Sequence, residues 1–408
     1  MAEEASVPAI CETVRQHRRP FFALAQLALL VTLAAFTAGC NSYFGRLVRW
    51  RGADVGDSTR FPDRPLHASK RPYFFARGGD ESRVRAAFRE AVPTDSLNAF
   101  LERNGTQAFL VIQNDTILYE RYFNGAERGS IVTSFSVAKS FASALVGKAI
   151  EEGYIHSVDD SITRYLPELA ARDPRFSRIT IRDLLMMSSG IHYGGWFVFA
   201  NDDARTYYSP DLRRAALRLT WIERPPGERF QYNNYHPLLL GLILERTTGR
   251  HVADYLEEKI WRPVGMEFDG SWSLDSRESG FEKMESGLNA RAIDFAKFGR
   301  LFLERGRWDS AQILPASWVL VSTRPDTAVD YRTYYPHGGI FADERGYYKY
   351  FWWGFRRDGS YDFTGVGNFG QYIYVSPASH LIIVRNGSSL GAGGWLQIFY
   401  AMATALRR

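Results

Sequence analysis

Cysteine and lysine are both scarce in this 408-residue chain, which has two cysteines, Cys11 and Cys40, and 7 lysines beside 43 arginines. Long basic runs are absent: the arginines are mixed with acidic residues and leave a net charge of +5, which argues against nucleic-acid binding. The chain also lacks an H-E-x-x-H sequence and cysteine or histidine pairs at ligand spacing, so no metal is expected. What remains is an ordinary globular composition, 45% hydrophobic, sufficient for one large core or two moderate ones.

The N-terminus has the pattern of a targeting segment. Basic residues at 15–19 precede an uncharged apolar run over 21–40, as in a secretory leader. Small residues stand directly before Cys40, as in a bacterial lipoprotein cleavage site, and the run is also almost long enough to span a bilayer uncleaved. Both interpretations place the rest of the chain in the cell envelope, membrane-anchored through residues 21–40. Cleavage would remove Cys11 and lipidate Cys40, which leaves no disulfide, so the fold must depend on its core.

The chain is expected to have three parts. Residues 1–40 are the leader or anchor. Residues 41–80 are rich in Arg, Pro, Gly and Asp without periodicity, which indicates a linker. Residues 81–408 then form the functional domain.

Strand signals lie at both ends of that domain. Residues 108–123 consist of two β-rich runs around Asn114-Asp115, a hairpin signal, and strand-like runs return near the C-terminus. The middle, over about 155–310, is mixed helix and loop. The pattern predicts an α+β fold in which N- and C-terminal segments form an antiparallel sheet around an inserted helical region.

Lys139 lies three residues after Ser136 in an otherwise apolar helical stretch over 134–153. Residues three apart share a helix face, so the amine can reach the hydroxyl. A serine hydroxyl is a weak nucleophile that needs a neighbouring base, and a partly buried lysine can act as one because desolvation lowers its pKa. The structural alternative is that Ser136 caps the helix and Lys139 extends to solvent.

Two further stretches carry residues suited to a ligand site. Tyr232 and Asn234 lie at a loop-to-helix junction, where a tyrosine hydroxyl can project into a cleft; a core aromatic and a capping amide are the alternative. Gly365, Gly367 and Gly370 lead into a strand and permit close backbone approach to a ligand, with an ordinary glycine-rich strand entry as the alternative.

A competing nucleophile is Ser389, at the centre of a G-x-S-x-G pattern over 387–391. In the fold that uses this pattern, Asp and His follow the serine, but the 19 residues after Ser389 contain neither. We therefore reject Ser389, and with it the H-G-G sequence at 337–339 as an oxyanion loop, since that loop should precede the serine much earlier.

Taken together, S-x-x-K at 136–139, Y-x-N at 232–234 and the late glycine triad resemble the serine hydrolases related to β-lactamases. This group includes class C β-lactamases, DD-peptidases, certain esterases and 6-aminohexanoate-dimer hydrolases. The resemblance covers roughly residues 85–405, and it implies a β-lactamase/transpeptidase-like fold.

The resemblance also implies a role for each residue of the first two motifs. Ser136 would be the nucleophile and Lys139 its activating partner. Tyr232 would be the general base and proton shuttle, with Asn234 as a polar contact to the substrate.

The third motif departs from the pattern of the penicillin-binding relatives. Asn368, followed by Phe369 and Gly370, stands where those relatives have Lys or His, which removes the usual partner of a substrate carboxylate. The backbone of the strand can still donate hydrogen bonds, so the N–H groups of Gln371 and Ser136 would form the oxyanion hole.

The expected function is that of an envelope-anchored serine hydrolase, which cleaves ester or amide bonds of small molecules through an acyl-enzyme, without metal or cofactor. A DD-peptidase or class C-like β-lactamase is the alternative enzyme, disfavoured by Asn368. A penicillin-recognising sensor is the non-enzyme alternative. Residues 192–208, which are rich in aromatics, either line the pocket or form a packed surface loop.

Overall fold

The computed structural model describes residue 39 and residues 42–93, 96–195, 201–334 and 345–407. The chain divides into a unit of residues 1–52, in which helix α1 (Tyr43–Trp50) is described, and a unit of residues 53–408. The predicted lipidation site Cys40, almost all of the apolar run before it and the sequence at 337–339 lie outside the described residues. Within the described part, no helix has both the length and the apolar composition needed to cross a membrane.

The strands described in the larger unit form a sheet of eight, a sheet of four and a two-stranded ribbon. In chain order they are β1 (Asp63–Leu66), β2 (Ala76–Arg77), β3 (Thr106–Gln113), β4 (Thr116–Tyr122), β5 (Val132–Thr133), β6 (Gly270–Ser273), β7 (Leu288–Ala290), β8 (Arg307–Trp308), β9 (Ala311–Gln312), β10 (Gly346–Lys349), β11 (Trp352–Arg357), β12 (Ser360–Gly367), β13 (Gln371–Ser376) and β14 (Leu381–Gly387). The strand order is β10-β11-β12-β13-β14-β3-β4-β2 in the large sheet and β1-β6-β7-β5 in the small one.

Most of the helices lie between β4 and β10 in the chain. The α-helices after α1 are α2 (Glu81–Ala91), α3 (Leu97–Arg103), α4 (Ala138–Glu151), α5 (Pro167–Arg172), α6 (Ile181–Leu185), α7 (Asp202–Tyr208), α8 (Leu212–Arg214), α9 (Tyr235–Thr248), α10 (Val252–Leu256), α11 (Ala292–Leu303), α12 (Ala316–Thr323) and α13 (Trp395–Arg407). Helix α11 packs on β13 and β14, α2 packs on α13, and α4 packs on α9.

The centre of the large sheet joins the two ends of the domain. Strand β14 pairs antiparallel with β3, so that Ile382 lies opposite Ile112. The predicted hairpin is present, with Asn114 at φ 49° and Asp115 at φ 60° between β3 and β4. Asn and Asp tolerate this left-handed conformation. The prediction of an α+β, β-lactamase/transpeptidase-like fold with a helical insertion is confirmed.

The segment from residue 53 to residue 80 is not a linker. Strand β1 pairs with β6, with Leu66 opposite Gly270, and β2 pairs with β4. Leu66 and Phe75 are both buried in the core. The prediction of a linker over 41–80 is therefore wrong for this part. Strands of two to four residues are too short to show an alternating pattern, and their backbone groups are paired by strands from distant parts of the chain.

Candidate active site

Ser136 lies where a buried helix begins. It is the middle residue of a 3₁₀ turn, Phe135–Val137, that leads directly into α4. Most of α4 is buried, and Phe141 stacks on Phe298 with ring centroids 3.6 Å apart. Ser136 itself is only half-buried. Its hydroxyl is therefore accessible while its helix is held in place, and the dipole of the helix favours negative charge at its start.

The residue before Ser136 is held in an unfavourable backbone conformation. Phe135 has φ 47°, in the left-handed region that a bulky side chain rarely adopts. Its ring lies 5.1 Å from that of Phe369, which has φ 59°. Such conformations persist where packing imposes them and are concentrated at active sites. The two rings pack on each other directly beside the turn that carries Ser136.

Lys139 is in contact with the Ser136 hydroxyl. Its Nζ lies 2.9 Å from Ser136 Oγ and donates a hydrogen bond to the backbone carbonyl of Glu285, also at 2.9 Å. Only 1% of Lys139 is exposed. Burial lowers the pKa of Lys139 to about 7, although the charges of Glu285 and Asp203 favour the protonated form. A large fraction of this amine is therefore neutral near pH 7 and able to accept the serine proton.

Tyr232 lies next to the same amine. The Lys139 Nζ is 5.0 Å from the centroid of the Tyr232 ring. The ring stacks on Trp353 of β11, with centroids 6.2 Å apart and planes at 17°. The loop that carries Tyr232 is fixed by the buried Asn233 side chain, which donates to the Ile191 carbonyl and accepts from the Tyr235 amide. Ser136, Lys139 and Tyr232 are thus brought together as one cluster.

Asn234 is linked to a tyrosine and a carboxylate that the sequence analysis did not single out. Its Nδ2 is 2.7 Å from the Tyr193 hydroxyl and 3.3 Å from Asp203 Oδ1, and Tyr193 donates to the same oxygen. Among the described residues, the buried Asn234 Oδ1 has no hydrogen-bond partner. Tyr193 and Asp203 both belong to the aromatic segment 192–208, whose composition was the available signal. Residues 196–200 of that segment lie outside the described residues.

Two glycines of the third motif lie against the turn and helix start that carry Ser136. A Cβ on Gly367 would be 2.3 Å from the Ser134 carbonyl oxygen, and one on Gly365 would be 3.2 Å from Ser140 Oγ. Since even a methyl group on Gly367 would collide with backbone, β12 can approach the turn only with glycine there. The glycines were predicted to allow close approach of a ligand; in the structure they allow close approach of the turn that carries Ser136.

The later residues of the third motif have other neighbours. Gly370 packs against the Arg385 guanidinium, and the buried Gln371 side chain donates to the Gly387 carbonyl at 2.6 Å. Asn368 is exposed. The pairing of the Gln371 and Ser136 N–H groups as an oxyanion hole stays a prediction.

A second serine makes a short contact with a histidine but is unsuited to catalysis. Ser189 Oγ and His236 Nε2 are 2.6 Å apart, the distance of a catalytic dyad. Both side chains are buried, at 1% exposure each, so a substrate cannot reach them. Burial lowers the pKa of His236 to about 3 and keeps its ring neutral. We interpret the pair as a structural hydrogen bond.

Glu245, His251 and Glu282 have the composition of a metal site, with ligand atoms within 4.8 Å of one another. Arginines already neutralise both carboxylates: Arg213 pairs with Glu245 at 2.6 Å and Arg64 with Glu282 at 3.0 Å. A divalent cation would have to compete with two fixed guanidinium groups. The cluster is better described as an ion-pair network.

Comparisons with known proteins identify the family of this chain. The model of the Beta-lactamase family matches residues 98–393. The chain is 26% identical over 372 residues to the 6-aminohexanoate-dimer hydrolase of Paenarthrobacter ureafaciens, covering 83% of this chain and 90% of the relative. It is 31% identical over 176 residues to penicillin-binding protein 4* of Bacillus subtilis (strain 168), covering 40% of this chain and 37% of the relative.

The fold is shared with solved structures. A Bacillus anthracis protein provisionally described as a 6-aminohexanoate-dimer hydrolase superposes with a TM-score of 0.72 at 24% identity, covering 88% of this chain and 93% of that chain. The resemblance inferred from the three motifs is confirmed at the level of family and fold.

Proposed function

The chain belongs to the Beta-lactamase family of serine hydrolases, and on that premise we propose that it cleaves ester or amide bonds of small molecules through an acyl-enzyme on Ser136. The observation that carries the proposal is the 2.9 Å contact between Ser136 Oγ and the buried Lys139 amine. A hydroxyl beside an amine that is partly neutral near pH 7 can be deprotonated as it attacks.

In the proposed reaction Ser136 Oγ attacks the substrate carbonyl, and its proton passes to the Lys139–Tyr232 pair. The negative charge on the carbonyl oxygen is stabilised by the backbone N–H groups of Ser136 and Gln371. Tyr232 returns the proton to the leaving alcohol or amine, which departs as the acyl-enzyme forms. Water then attacks the acyl group by the same route and restores Ser136.

The charges around the cluster favour substrates without a carboxylate. Asn368 supplies no cation, and the carboxylate of Asp203 lies close enough to Lys139 to favour its protonated form. An anionic substrate would meet this charge without a compensating partner at the third motif. The similarity to a 6-aminohexanoate-dimer hydrolase over most of the chain supports an amide bond as the one cleaved but not the charge preference, because a 6-aminohexanoate dimer ends in a carboxylate. The partial similarity to a penicillin-binding protein keeps the DD-peptidase as the second candidate.

The nucleophile is tested with Ser136→Ala, assayed on short-chain p-nitrophenyl esters. We expect activity to fall by at least about 1,000-fold, because the acyl-enzyme cannot form. Ser389→Ala, which changes an exposed serine, is the matched control and should be nearly silent. Retention of Ser136→Ala activity within tenfold of wild type would refute the assignment, and a large loss in Ser389→Ala would revive the competing nucleophile.

The substrate class is tested with a free acid and its methyl ester. Wild type should prefer the methyl ester, because a missing charge-assisted hydrogen bond to a carboxylate corresponds to about 10- to 150-fold in kcat/KM. Asn368→Lys should bring the kcat/KM values for the methyl ester and the free acid closer together. A tenfold preference of wild type for the free acid would contradict the proposal and favour the DD-peptidase. Mass spectrometry after treatment with a penicillin tests the alternative that the protein is a penicillin-recognising sensor. A stable penicillin adduct in a protein that hydrolyses no ester would identify such a sensor.

We further propose that the protein is anchored in the cell envelope through residues 21–40. The support is the uncharged apolar run after basic residues, with small residues before Cys40. In the native host, Cys40→Ser should abolish incorporation of labelled fatty acid and leave the leader uncleaved. Unchanged processing would exclude the lipoprotein and favour an uncleaved anchor.

A further inference from the structure

The residue whose backbone carbonyl accepts from the Lys139 amine carries a buried ion pair on its side chain. Glu285, whose backbone carbonyl accepts from Lys139, has its carboxylate 3.1 Å from Lys283 Nζ and 2.7 Å from Ser286 Oγ. Lys283 and Glu285 are both almost completely buried, at 1% and 2% exposure. The second carboxylate oxygen of Glu285 is buried without a hydrogen-bond partner among the described residues. Charges this deep in a protein interact far more strongly than charges at its surface.

Lys283 is itself held in a cage of backbone and aromatic rings. Its Nζ donates to the Tyr207 carbonyl at 2.6 Å and lies 4.4 Å from the centroid of the Phe61 ring and 4.1 Å from that of Tyr207. The Tyr207 hydroxyl in turn bonds the Asp57 carboxylate. The cage keeps Lys283 beside Glu285, because both ring faces attract the ammonium group and the Tyr207 carbonyl accepts a hydrogen bond from it.

Within the part of the chain that the structure describes, four groups besides Ser136 interact with the Lys139 amine. Glu285 and Asp203 are the carboxylates, Tyr232 presents its ring, and His236 acts at longer range but is neutral because it is buried. Asp203 is exposed, so solvent and salt screen its charge. Glu285 is therefore the carboxylate whose charge Lys139 experiences most strongly, and Lys283 is paired with that carboxylate.

We propose that Glu285 is a positioning residue for Lys139, and that the balance between Glu285 and Lys283 sets the pH at which this enzyme becomes active. The Glu285 carbonyl fixes the direction of the amine. The two buried charges then set how readily the amine gives up its own proton and becomes able to take that of Ser136. This inference rests on the proposed role of Lys139 as acceptor of the serine proton.

The two charges have opposite effects on the amine. Removing the negative charge of Glu285 destabilises the ammonium form, so Glu285→Gln should move the acid limb of the pH profile to lower pH. Removing the positive charge of Lys283 has the reverse effect, so Lys283→Met should move it to higher pH. The double variant removes both charges and should lie close to wild type. Each single shift should be at least about 0.5 pH unit.

The experiment measures kcat/KM for a neutral p-nitrophenyl ester across pH for wild type, Glu285→Gln, Lys283→Met and the double variant. Circular dichroism checks that each variant folds. Lys283→Arg keeps the positive charge, so the acid limb of its pH profile should lie at the same pH as that of wild type. If Lys283→Met does not fold, the acid limbs of the near-isosteric Glu285→Gln variant and of the double variant still test the inference. Single variants that shift in the same direction, or a Glu285→Gln limb within about 0.2 pH unit of wild type, would overturn the inference.

A second measurement separates this inference from the proposed reaction. With only 7 lysines in the chain, the titration of Lys139 can be followed by NMR in a Ser136→Ala background, where no turnover takes place. Opposite shifts of this titration in the two single variants support the charge balance even if the ester assay fails. If the titration shifts but the acid limb does not, the role of Lys139 in the reaction is wrong and the electrostatic inference stands.

Discussion

At the scale of single residues, the site depends on an amine that the fold keeps from its ordinary state of protonation. A lysine in water has a pKa of about 10.5, whereas burial lowers that of Lys139 to about 7. Between these pH values the unfolded chain holds a proton that the folded protein has lost. Below pH 7 the folded state therefore bears the full free-energy cost of burying the charged amine of Lys139. This cost disappears as the pH rises toward 10.5, where the unfolded chain also loses the proton.

Lys139→Met should therefore be inactive and yet more stable than wild type. We expect the free energy of unfolding to rise by about 1–3 kcal/mol at pH 7, because the cost of neutralising a buried amine is removed. The gain should shrink as the pH rises to about 10, where the unfolded chain also loses its proton. Urea unfolding at both pH values measures it.

The control for this variant is Lys148→Met, near the other end of the same helix, where the lysine is only partly buried and pairs with Glu151. Its stability should change by no more than about 0.5 kcal/mol. A Lys139→Met protein that is less stable than wild type at every pH would show that the amine contributes net stability to the fold.

At the scale of elements, the site is formed where β12 meets the turn before α4. The turn presents the Ser134 carbonyl to the strand, and Gly367 has no side chain that would keep the two apart. The turn is fixed from the other side by β5 and β7, since the Ser134 amide donates to the Leu288 carbonyl at 2.8 Å. The position of Ser136 relative to a substrate thus depends on the distance between a strand and a turn.

Gly367→Ala should push β12 away from the turn, because its Cβ would lie 2.3 Å from a backbone oxygen. We expect a stability loss of about 1–3 kcal/mol and a kcat/KM about 10- to 100-fold lower, since small misplacements of reacting groups are costly. Gly129→Ala is the control, because its nearest neighbour would be a flexible Glu127 carboxylate oxygen 3.7 Å away. Wild-type kinetics in Gly367→Ala would disprove the steric account.

At the scale of the whole molecule, residues 53–80 are part of the fold of the domain that was predicted to begin at residue 81. Strands β1 and β2 extend the two sheets, and Leu66 and Phe75 are in the core. Phe61 lies over the Lys283 amine, so the segment also contacts the ion pair of Lys283 with Glu285. A cut at the predicted domain boundary would therefore damage both the core and the site.

A chain that starts at residue 53 should fold and retain activity, because the division of the molecule falls at that point. One that starts at residue 81 should aggregate or unfold, since it loses two strands and at least two buried apolar side chains, each worth about 1.5–3 kcal/mol. Thermal unfolding and ester hydrolysis of both proteins measure this. A stable, active chain from residue 81 would restore the linker interpretation.

The sequence by itself determined what depends on neighbouring residues. The spacing of Ser136 and Lys139 on one helix face, the Asn114-Asp115 hairpin and the order of the three motifs were sufficient for the fold class and the family. These features need only the helical repeat of 3.6 residues and the conformational preferences of a turn.

Only the tertiary structure decided what depends on distant parts of the chain. The neutral state of Lys139 results from burial by segments that include Tyr232 and Glu285, about 100 residues or more away. The contact of Gly367 with the nucleophile's turn and the pairing of β1 and β2 also join remote segments. Desolvation, steric contact and strand pairing are properties of the space around a residue, and no local pattern in the sequence records them.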